Sequence, residues 1–339
     1  MGSLDDPRLR YAYKNREHGT VEPDTKREPF RWVSEVAYKN VHRIVSRGYD
    51  TTELVEAGYG IADVIFIDFQ ARIPLIEEAK MLNYVMILSL EDGLSSPAAM
   101  SRIIASGKTY LTQAAGGSIL AFGHAYGAYC AFGNMLDKYL AKAEEEGKST
   151  AEIAEMLVEE NLNDEALGVS SLMLKDPAAK RMLARAEKLG VAGKYIGLMK
   201  AVVKAAQQLS SEPVDIDMLG VTGAVMLDLG FSPESTWAVL AVTRAFGSGA
   251  HYCEEVEREG YKGLGQALTP KAMYDGPEDR PVPSLAERKQ TVRPGIHRTP
   301  QEWKDALENK QKLKGSGWAI HEEIEDPIKK SGIKKVGKL

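Results

Sequence analysis

The chain has 339 residues, charges of both signs and a formal net charge of -5 at pH 7. This length can bury a sizeable core in one large domain or two modest ones, and the apolar content is too high for wholesale disorder. The mixed, slightly acidic surface charge gives no reason to expect a nucleic-acid partner.

The cysteines and the lengths of the apolar runs indicate where in the cell the protein is located. Cys130 and Cys253 are far apart, lie in apolar helical patterns and lack CxxC spacing, which favours a reducing cytoplasm. The polar first residues predict no signal peptide, and Gly, Tyr, His or charged residues interrupt every apolar run before it reaches bilayer-spanning length. We therefore expect a cytoplasmic protein that does not span a membrane.

The first half of the chain begins without periodicity and then becomes helical. Residues 1–30 mix Pro, Gly and charge, and we interpret them as an extended N-terminal arm. Residues 31–47 place apolar side chains at spacings of three and four, which predicts a packing helix. Residues 61–70 favour a strand by residue type but a buried helix by length, and we prefer the helix.

Helix-start signals are stronger in the second half. Ser149 and Glu152 have capping-box spacing, and Ser232 followed by Pro233 offers an N-cap with a proline in the first turn. Both devices recur where Thr299 and Pro300 precede Glu302. We therefore predict an all-α fold, followed by a charged and solvated C-terminal tail over residues 314–339.

Several segments, in this order, resemble the citrate synthase family, especially its smaller citryl-CoA lyase-like branch. They are SRGYDTTELVEAGYGIADVIFIDFQARIPLIEEAKML, DPAAKRMLARAEKLG, GAVMLDLGFSP, AVTRAFGSGAHYCEE and MYDGPEDRP. The resemblance implies a helical domain over residues 31–313, with a small subdomain over roughly 160–250 and a cleft between it and the large one. It also implies a homodimer and a coenzyme A thioester as substrate.

Family members join or split a carbon–carbon bond next to a thioester. This chemistry needs a carboxylate base, histidines that stabilise developing oxyanions, and arginines that hold carboxylates. In the stretch LAFGHAYGAYCAFG, Ala125 takes the position of the family's enolate-binding histidine, and His124 lies one residue early. His124 is thus either a displaced catalytic residue or a core or turn histidine bonded to the backbone.

A second family motif aligns with GVSSLMLKDPAA. Val169 stands where the family has its acceptor-polarising histidine, and Ser170 and Ser171 follow it. Serine can donate a hydrogen bond but does not titrate near neutral pH, so Ser171 is a candidate oxyanion donor. The resemblance places Gly168, Val169 and Ser170 at the coenzyme A and Lys175 opposite its phosphates.

Three charged residues complete the candidate site. Leu219 stands where the family has its catalytic carboxylate, and Asp217 lies two positions before it. Asp217 is either a base or a helix cap. Asp92, in EDGL, stands where a substrate histidine is expected, and is either a base or part of a helix end. Arg244 matches a family arginine that binds the acceptor carboxylate, and its charge needs a partner or a cavity within an apolar helix.

No metal is expected, because a solvated helix face explains His251, Glu254 and Glu255 at their spacing more simply than a ligand set. The replacements favour an acyl-CoA lyase or synthase of Claisen or aldol type. Its site is non-standard, and its substrate is a bulkier β-oxo or β-hydroxy acyl-CoA rather than citrate. Leu219 leaves open a noncatalytic acyl-CoA sensor or partner subunit, and Asp92 with a positioned water leaves open acyl-CoA hydration or hydrolysis.

Overall fold

The computed structural model describes residues 34–171 and 177–260, and also 281–282, 284–286 and 301. The chain divides into two units, residues 1–261 and 262–339, and the architecture below is that of the first. The arm at 1–30, Lys175, the helix-start residues Thr299, Pro300 and Glu302, and the tail at 314–339 lie outside the described residues. The predicted domain and subdomain boundaries stay predictions.

Helices dominate the described residues. In chain order they are α1 (Thr51–Glu56), α2 (Ile61–Gln70), α3 (Ile76–Ser89), α4 (Ser96–Ser106), α5 (Leu111–Ala121), α6 (Tyr129–Glu146), α7 (Thr150–Asn161), α8 (Pro177–Leu189), α9 (Lys194–Leu209), α10 (Met218–Asp228) and α11 (Pro233–Glu254). Short 3-10 turns lie at His124–Tyr126 and Glu165–Leu167, and a π turn at Glu255–Glu259 extends α11. No helix in the described part of the chain is long and apolar enough to cross a bilayer.

A small antiparallel sheet occupies part of the segment where the sequence predicted a helix over residues 31–47, so that prediction is wrong. Strand β1 (Ala37–Lys39) pairs with β2 (Ile44–Ser46), and β2 pairs with β3 (Tyr49–Asp50). Tyr38 lies opposite Val45, which is 2% exposed, while β1 itself is exposed. In β2 the adjacent residues Val45 and Ser46 are both buried, and the β-branched Ile44 and Val45 favour a strand.

The turns of this sheet explain why helical spacing did not decide the structure. Asn40 Oδ1 accepts the backbone N–H groups of His42 and Arg43, at 2.9 and 3.0 Å, and closes the first turn. In the second turn Arg47 and Gly48 both take positive φ, 46° and 92°. Consecutive left-handed residues are the signature of a two-residue hairpin turn and cannot occur inside a helix.

Other predictions from local sequence are confirmed. The preferred helix over residues 61–70 is α2, with those bounds. Ser149 and Glu152 form a reciprocal capping box at the start of α7, and the Ser232 side chain accepts the Ser235 N–H at the start of α11. Caps succeed where periodicity alone fails because they satisfy particular backbone N–H groups.

The core lies between α6, α7, α9 and α10, while α4 and α5 pack on each other and on α11. Fully buried large side chains include Tyr139, Phe66, Phe132, Ile67, Met81, Leu82, Leu136, Ile153, Leu157, Met182, Leu198 and Met199. Since α11 also contacts α3 and α6, it joins the two groups of helices.

The N terminus of α10 packs directly against the turn that precedes strand β4 (Val169–Ser171), which pairs with β5 (Val214–Ile216). Gly168 has φ +73°, and a Cβ there would lie 2.5 Å from Gly220 Cα. A Cβ on Gly220 would lie 2.2 Å from the Gly168 carbonyl oxygen. The two glycines therefore permit a backbone-to-backbone contact that no larger residue allows.

We predict that Gly168→Ala lowers the free energy of unfolding by about 2–4 kcal/mol, because alanine disfavours positive φ and its methyl group meets Gly220. Gly197→Ala is the matched control: this exposed glycine within α9 has open space around it, and alanine should stabilise by about 0.5–1 kcal/mol. Urea denaturation measures both. Equal effects at the two positions would contradict the close contact.

Candidate functional site

Arg244 projects from the middle of α11 into a buried position. Its side chain is 12% exposed, its Nε donates to the Ser89 carbonyl oxygen at 2.6 Å, and its guanidinium lies 5.7 Å from the ring centroid of Phe122. Arg244 Nη1 lies 3.2 Å from Asp92 Oδ2, yet this buried nitrogen makes no hydrogen bond. The cation is thus held firmly on one edge and only loosely neutralised on the other.

The turn that carries Asp92 lies directly on α11. A Cβ on Gly247 would come within 2.0 Å of the Leu90 carbonyl oxygen and 2.5 Å of Glu91 Oε1. One helical turn further along, His251 Nε2 lies 3.1 Å from Glu91 Oε2. Residues 90–93 are therefore attached to α11 through both acidic side chains and through a backbone approach that needs glycine.

The end of α11 is not the solvated face that the sequence predicted. Arg102, on α4, pairs with Glu254 at 2.8 Å and with Glu255 at 2.6 Å, and Glu255 is 12% exposed. His251 is 18% exposed and faces Glu91. His251, Glu254 and Glu255 therefore form ion pairs with neighbouring elements. Within the described ranges no cluster of His, Cys, Asp or Glu has the arrangement of a metal site.

Tyr129, the first residue of α6, is a buried tyrosine whose hydroxyl is affected by the charges of three candidate residues. Its ring is 8% exposed and packs on Gly127, where a Cβ would lie 1.9 Å from the ring. Burial raises the pKa of the Tyr129 hydroxyl far above its ordinary value, although the positive charge of Arg244 lowers it. Asp217 and Asp92 raise it further, so both carboxylates and Arg244 act on one hydroxyl.

The sequence did not predict a role for Tyr129, although it lies in the stretch LAFGHAYGAYCAFG that contains His124. A tyrosine that follows small residues at a helix start is a usable signal, since a buried hydroxyl needs a polar partner. The Thr222 side chain on α10 acts on this hydroxyl and lowers its pKa, against the effect of burial. The pKa of this hydroxyl therefore depends on side chains of both α10 and α11.

His124 lies in the 3-10 turn before α6, and its side chain is exposed. The structure thus makes it a turn residue and excludes a position between two buried helices. The turn is attached to the start of α4, because the Tyr126 hydroxyl hydrogen-bonds to Ser96 at 2.7 Å. His124 lines an open groove with residues 159–165, of which Glu159, Glu160, Asp164 and Glu165 are acidic. No hydrogen bond or ion pair in the described residues joins His124 to Arg244 or to Asp92.

Asp217 caps α10: its Oδ1 accepts the N–H of Gly220 at 2.9 Å. Its own N–H donates to the Gly168 carbonyl oxygen at 3.2 Å. The capping interpretation is therefore confirmed, and the charge of the same carboxylate raises the pKa of the Tyr129 hydroxyl. A helix N terminus stabilises the ionised carboxylate.

Val169, Ser170 and Ser171 form strand β4, opposite Ile216, Asp215 and Val214 of β5 respectively. All three side chains are half-buried. Gly168 precedes them in the tight contact with α10. Asp215 forms an ion pair with Lys180 at 2.5 Å, whereas Asp217 caps α10. The structure thus places Gly168, Val169 and Ser170 next to the segment that ends at Asp217, and their binding roles stay predictions.

We predict a Tyr129-dependent loss of stability at alkaline pH. The folded state keeps this hydroxyl protonated, whereas in the unfolded chain it ionises near pH 10. Its contribution is complete below pH 10 and declines above it, by about 1.4 kcal/mol per pH unit. Denaturation at stepped pH should therefore show a shallower decline for Tyr129→Phe than for the wild type. Identical slopes would contradict the buried position of the hydroxyl.

Comparison with known proteins shows the fold. Neither a protein-family model nor a curated protein matches the sequence. Among solved structures, citryl-CoA lyase from Hydrogenobacter thermophilus is 21% identical with a TM-score of 0.63, over 76% of this chain and 99% of that one. Citrate synthase from Thermoplasma acidophilum, in complex with carboxymethyl coenzyme A and oxaloacetate, is 20% identical with a TM-score of 0.53, over 68% and 60%.

ATP citrate lyase from Methanosaeta concilii, in complex with citryl-CoA, is 15% identical with a TM-score of 0.55. The match covers 81% of this chain and 45% of the lyase, so the chain spans less than half the length of that protein. The likeness confirms the predicted fold class: the chain has an all-α, citrate synthase-like fold.

Proposed function

We propose that the protein is an acyl-CoA enzyme that makes or breaks a carbon–carbon bond and binds a carboxylated substrate through Arg244. The observation that carries the proposal is the buried Arg244 Nη1, which has no hydrogen bond although an anion lies 3.2 Å away. Such a nitrogen is suited to a carboxylate that approaches in a better geometry. Solved structures of the same fold bind citryl-CoA, citrate with coenzyme A, or carboxymethyl coenzyme A with oxaloacetate, which supports the ligand class.

The proposed cleavage acts on a β-hydroxy acyl-CoA. A base takes the hydroxyl proton as the bond between the α and β carbons breaks, and the electron pair passes to the α carbon to form the thioester enolate. The β carbon leaves as a carbonyl fragment whose carboxylate stays on Arg244, and the enolate takes a proton at its α carbon. Synthesis is the reverse, with removal of the α proton first.

Asp217 is the proposed base. It lies at the start of α10, beside the predicted coenzyme A turn at Gly168, and its charge acts on the same Tyr129 hydroxyl as that of Arg244. His124 and Ser171 remain the candidate oxyanion donors from the sequence. His124 lies on an acidic groove, which repels coenzyme A phosphates, so any role for it is with the acyl part.

A noncatalytic acyl-CoA-binding subunit is the second candidate. Leu219, which takes the position of the family's carboxylate, packs against the hydrophobic core and cannot transfer a proton. In this alternative Arg244 still binds a carboxylated acyl-CoA but no bond is broken. Hydration or hydrolysis of the thioester is distinguished by its products, because no second carbon fragment appears.

The homodimer and the cytoplasmic location expected from the sequence are part of the proposal. Support for the dimer comes from exposed large apolar side chains on α4, α5 and α11: Met100, Ile103, Leu111, Ile119, Leu120, Val242 and Phe246. Apolar residues exposed along neighbouring helices commonly mark a protein interface.

We predict that Arg244→Gln weakens the binding of citryl-CoA by about tenfold or more, because a charge-assisted hydrogen bond is lost. Acetyl-CoA has no carboxylate, so its affinity should be unchanged. Arg102→Gln is the matched control, since Arg102 is 19% exposed and forms ion pairs with the same helix at Glu254 and Glu255. Calorimetry measures all three proteins, and equal affinities for citryl-CoA would contradict the proposed carboxylate site.

We predict that Asp217→Asn stops the exchange of acetyl-CoA α protons for deuterium, with almost no loss of stability. Asparagine caps a helix about as well as aspartate but cannot act as a base. Asp217→Ala should stop exchange and also lower the free energy of unfolding by about 1 kcal/mol, because the Gly220 N–H loses its acceptor. Exchange in the Asn variant at the wild-type rate would exclude Asp217 as the base. No exchange in the wild type, together with binding, would favour the noncatalytic subunit.

A further inference from the structure

We infer that Asp92 is a placeholder anion: in the absence of substrate it neutralises Arg244, and a substrate carboxylate must displace it. Asp92 would then set the affinity and the selectivity of the site, which takes carboxylates and acyl-CoA thioesters with a free carboxylate. This inference rests on the proposed carboxylate site at Arg244, but it does not depend on the coenzyme A part of the ligand or on the reaction.

The two partners of the ion pair differ in their freedom to separate. The Arg244 side chain is 12% exposed, whereas that of Asp92 is 54% exposed. Arg244 is also fixed by the Ser89 carbonyl oxygen and by the Phe122 ring. Hydrating the Asp92 carboxylate costs little, but a buried guanidinium without an anion is expensive. Arg244 is therefore the fixed member of the pair, and Asp92 is the replaceable one.

The contact itself is poor for an ion pair this close. Asp92 Oδ2 lies 3.2 Å from Arg244 Nη1 without making a hydrogen bond, and that nitrogen is shielded from solvent. Arginine and a carboxylate bind most strongly through parallel N–H···O bonds. A substrate carboxylate that forms even one aligned bond gains an interaction that Asp92 does not supply.

Displacement of Asp92 does not require the turn to leave α11. Glu91 stays paired with His251 at 3.1 Å, and the Leu90 backbone stays in the gap above Gly247. Rotation of the Asp92 side chain toward solvent is sufficient. The two adjacent acidic residues thus have separate tasks, since Glu91 holds the turn and Asp92 occupies the binding position.

This arrangement selects among ligands. An acyl-CoA without a free carboxylate cannot replace the charge of Asp92, so Arg244 and Asp92 stay paired and the thioester gains nothing from Arg244. A carboxylated ligand exchanges one anion for another without leaving a buried charge unpaired. Asp92 therefore lowers the affinity for the correct ligand but raises discrimination against neutral ones.

The test compares binding of citrate, citryl-CoA and acetyl-CoA by calorimetry at fixed ionic strength. Asp92→Asn removes the competing charge and should tighten citrate and citryl-CoA binding by about threefold to tenfold, without changing that of acetyl-CoA. Glu91→Gln removes the same charge from the preceding residue but keeps a side-chain oxygen for His251 Nε2, so the turn stays in place and affinity should change less than twofold. In the Asp92→Asn background, Arg244→Gln should abolish the gain. Asp92→Ala should reproduce it, which covers the case in which the Asn variant folds poorly.

The outcomes separate this inference from the proposed function. Unchanged or weaker citrate binding in both Asp92 variants would overturn the placeholder role, even where the wild type binds citryl-CoA through Arg244. Tighter citrate binding in a protein with no affinity for any coenzyme A ligand would support the placeholder role and overturn the acyl-CoA function. An equal gain in Glu91→Gln would overturn the placeholder role of Asp92, since the gain would then reflect overall charge alone.

Discussion

The burial of one cation on α11 constrains the candidate site. Arg244 has apolar neighbours on its own helix, so its charge has to be neutralised by elements that pack on that helix. The end of α3 supplies a carbonyl oxygen, the end of α5 supplies an aromatic ring, and the turn after α3 supplies a carboxylate. Two separate parts of the chain, residues 89–92 and Phe122, are positioned around a single guanidinium.

Glycines make this convergence possible. Gly247 lets the turn 90–93 approach α11 within backbone contact, and Gly127 gives space to the Tyr129 ring. Gly168 and Gly220 do the same where α10 meets β4. The missing side chains let these elements approach closely, and the charges of Arg244, Asp92 and Asp217 all act on the buried Tyr129 hydroxyl.

Much of the fold follows from local sequence, and the reasons are physical. The caps at Ser149 and Ser232 were predicted because a side-chain oxygen satisfies specific N–H groups. The helix expected over residues 31–47 is wrong, because spacings of three and four also occur in a hairpin. The Asn40 turn and the Arg47–Gly48 turn decide between the two.

The site was predictable only in part. The need of Arg244 for a partner follows from a charge within an apolar helix, and Asp92 and Asp217 were candidates from their positions. That Asp92 is the partner depends on a contact between residues 152 positions apart, which tertiary packing determines. His124 drew attention as the only histidine of its motif, yet it lies in an exposed turn, while the buried Tyr129 nearby was overlooked.

The most direct measurement is a crystal structure of the protein with citryl-CoA bound. A carboxylate within about 3 Å of Arg244 Nη1, with the Asp92 side chain rotated into solvent and Glu91 still on His251, is the predicted result. Citryl-CoA bound elsewhere, with Asp92 and Arg244 still paired, would contradict both the carboxylate site and the placeholder anion.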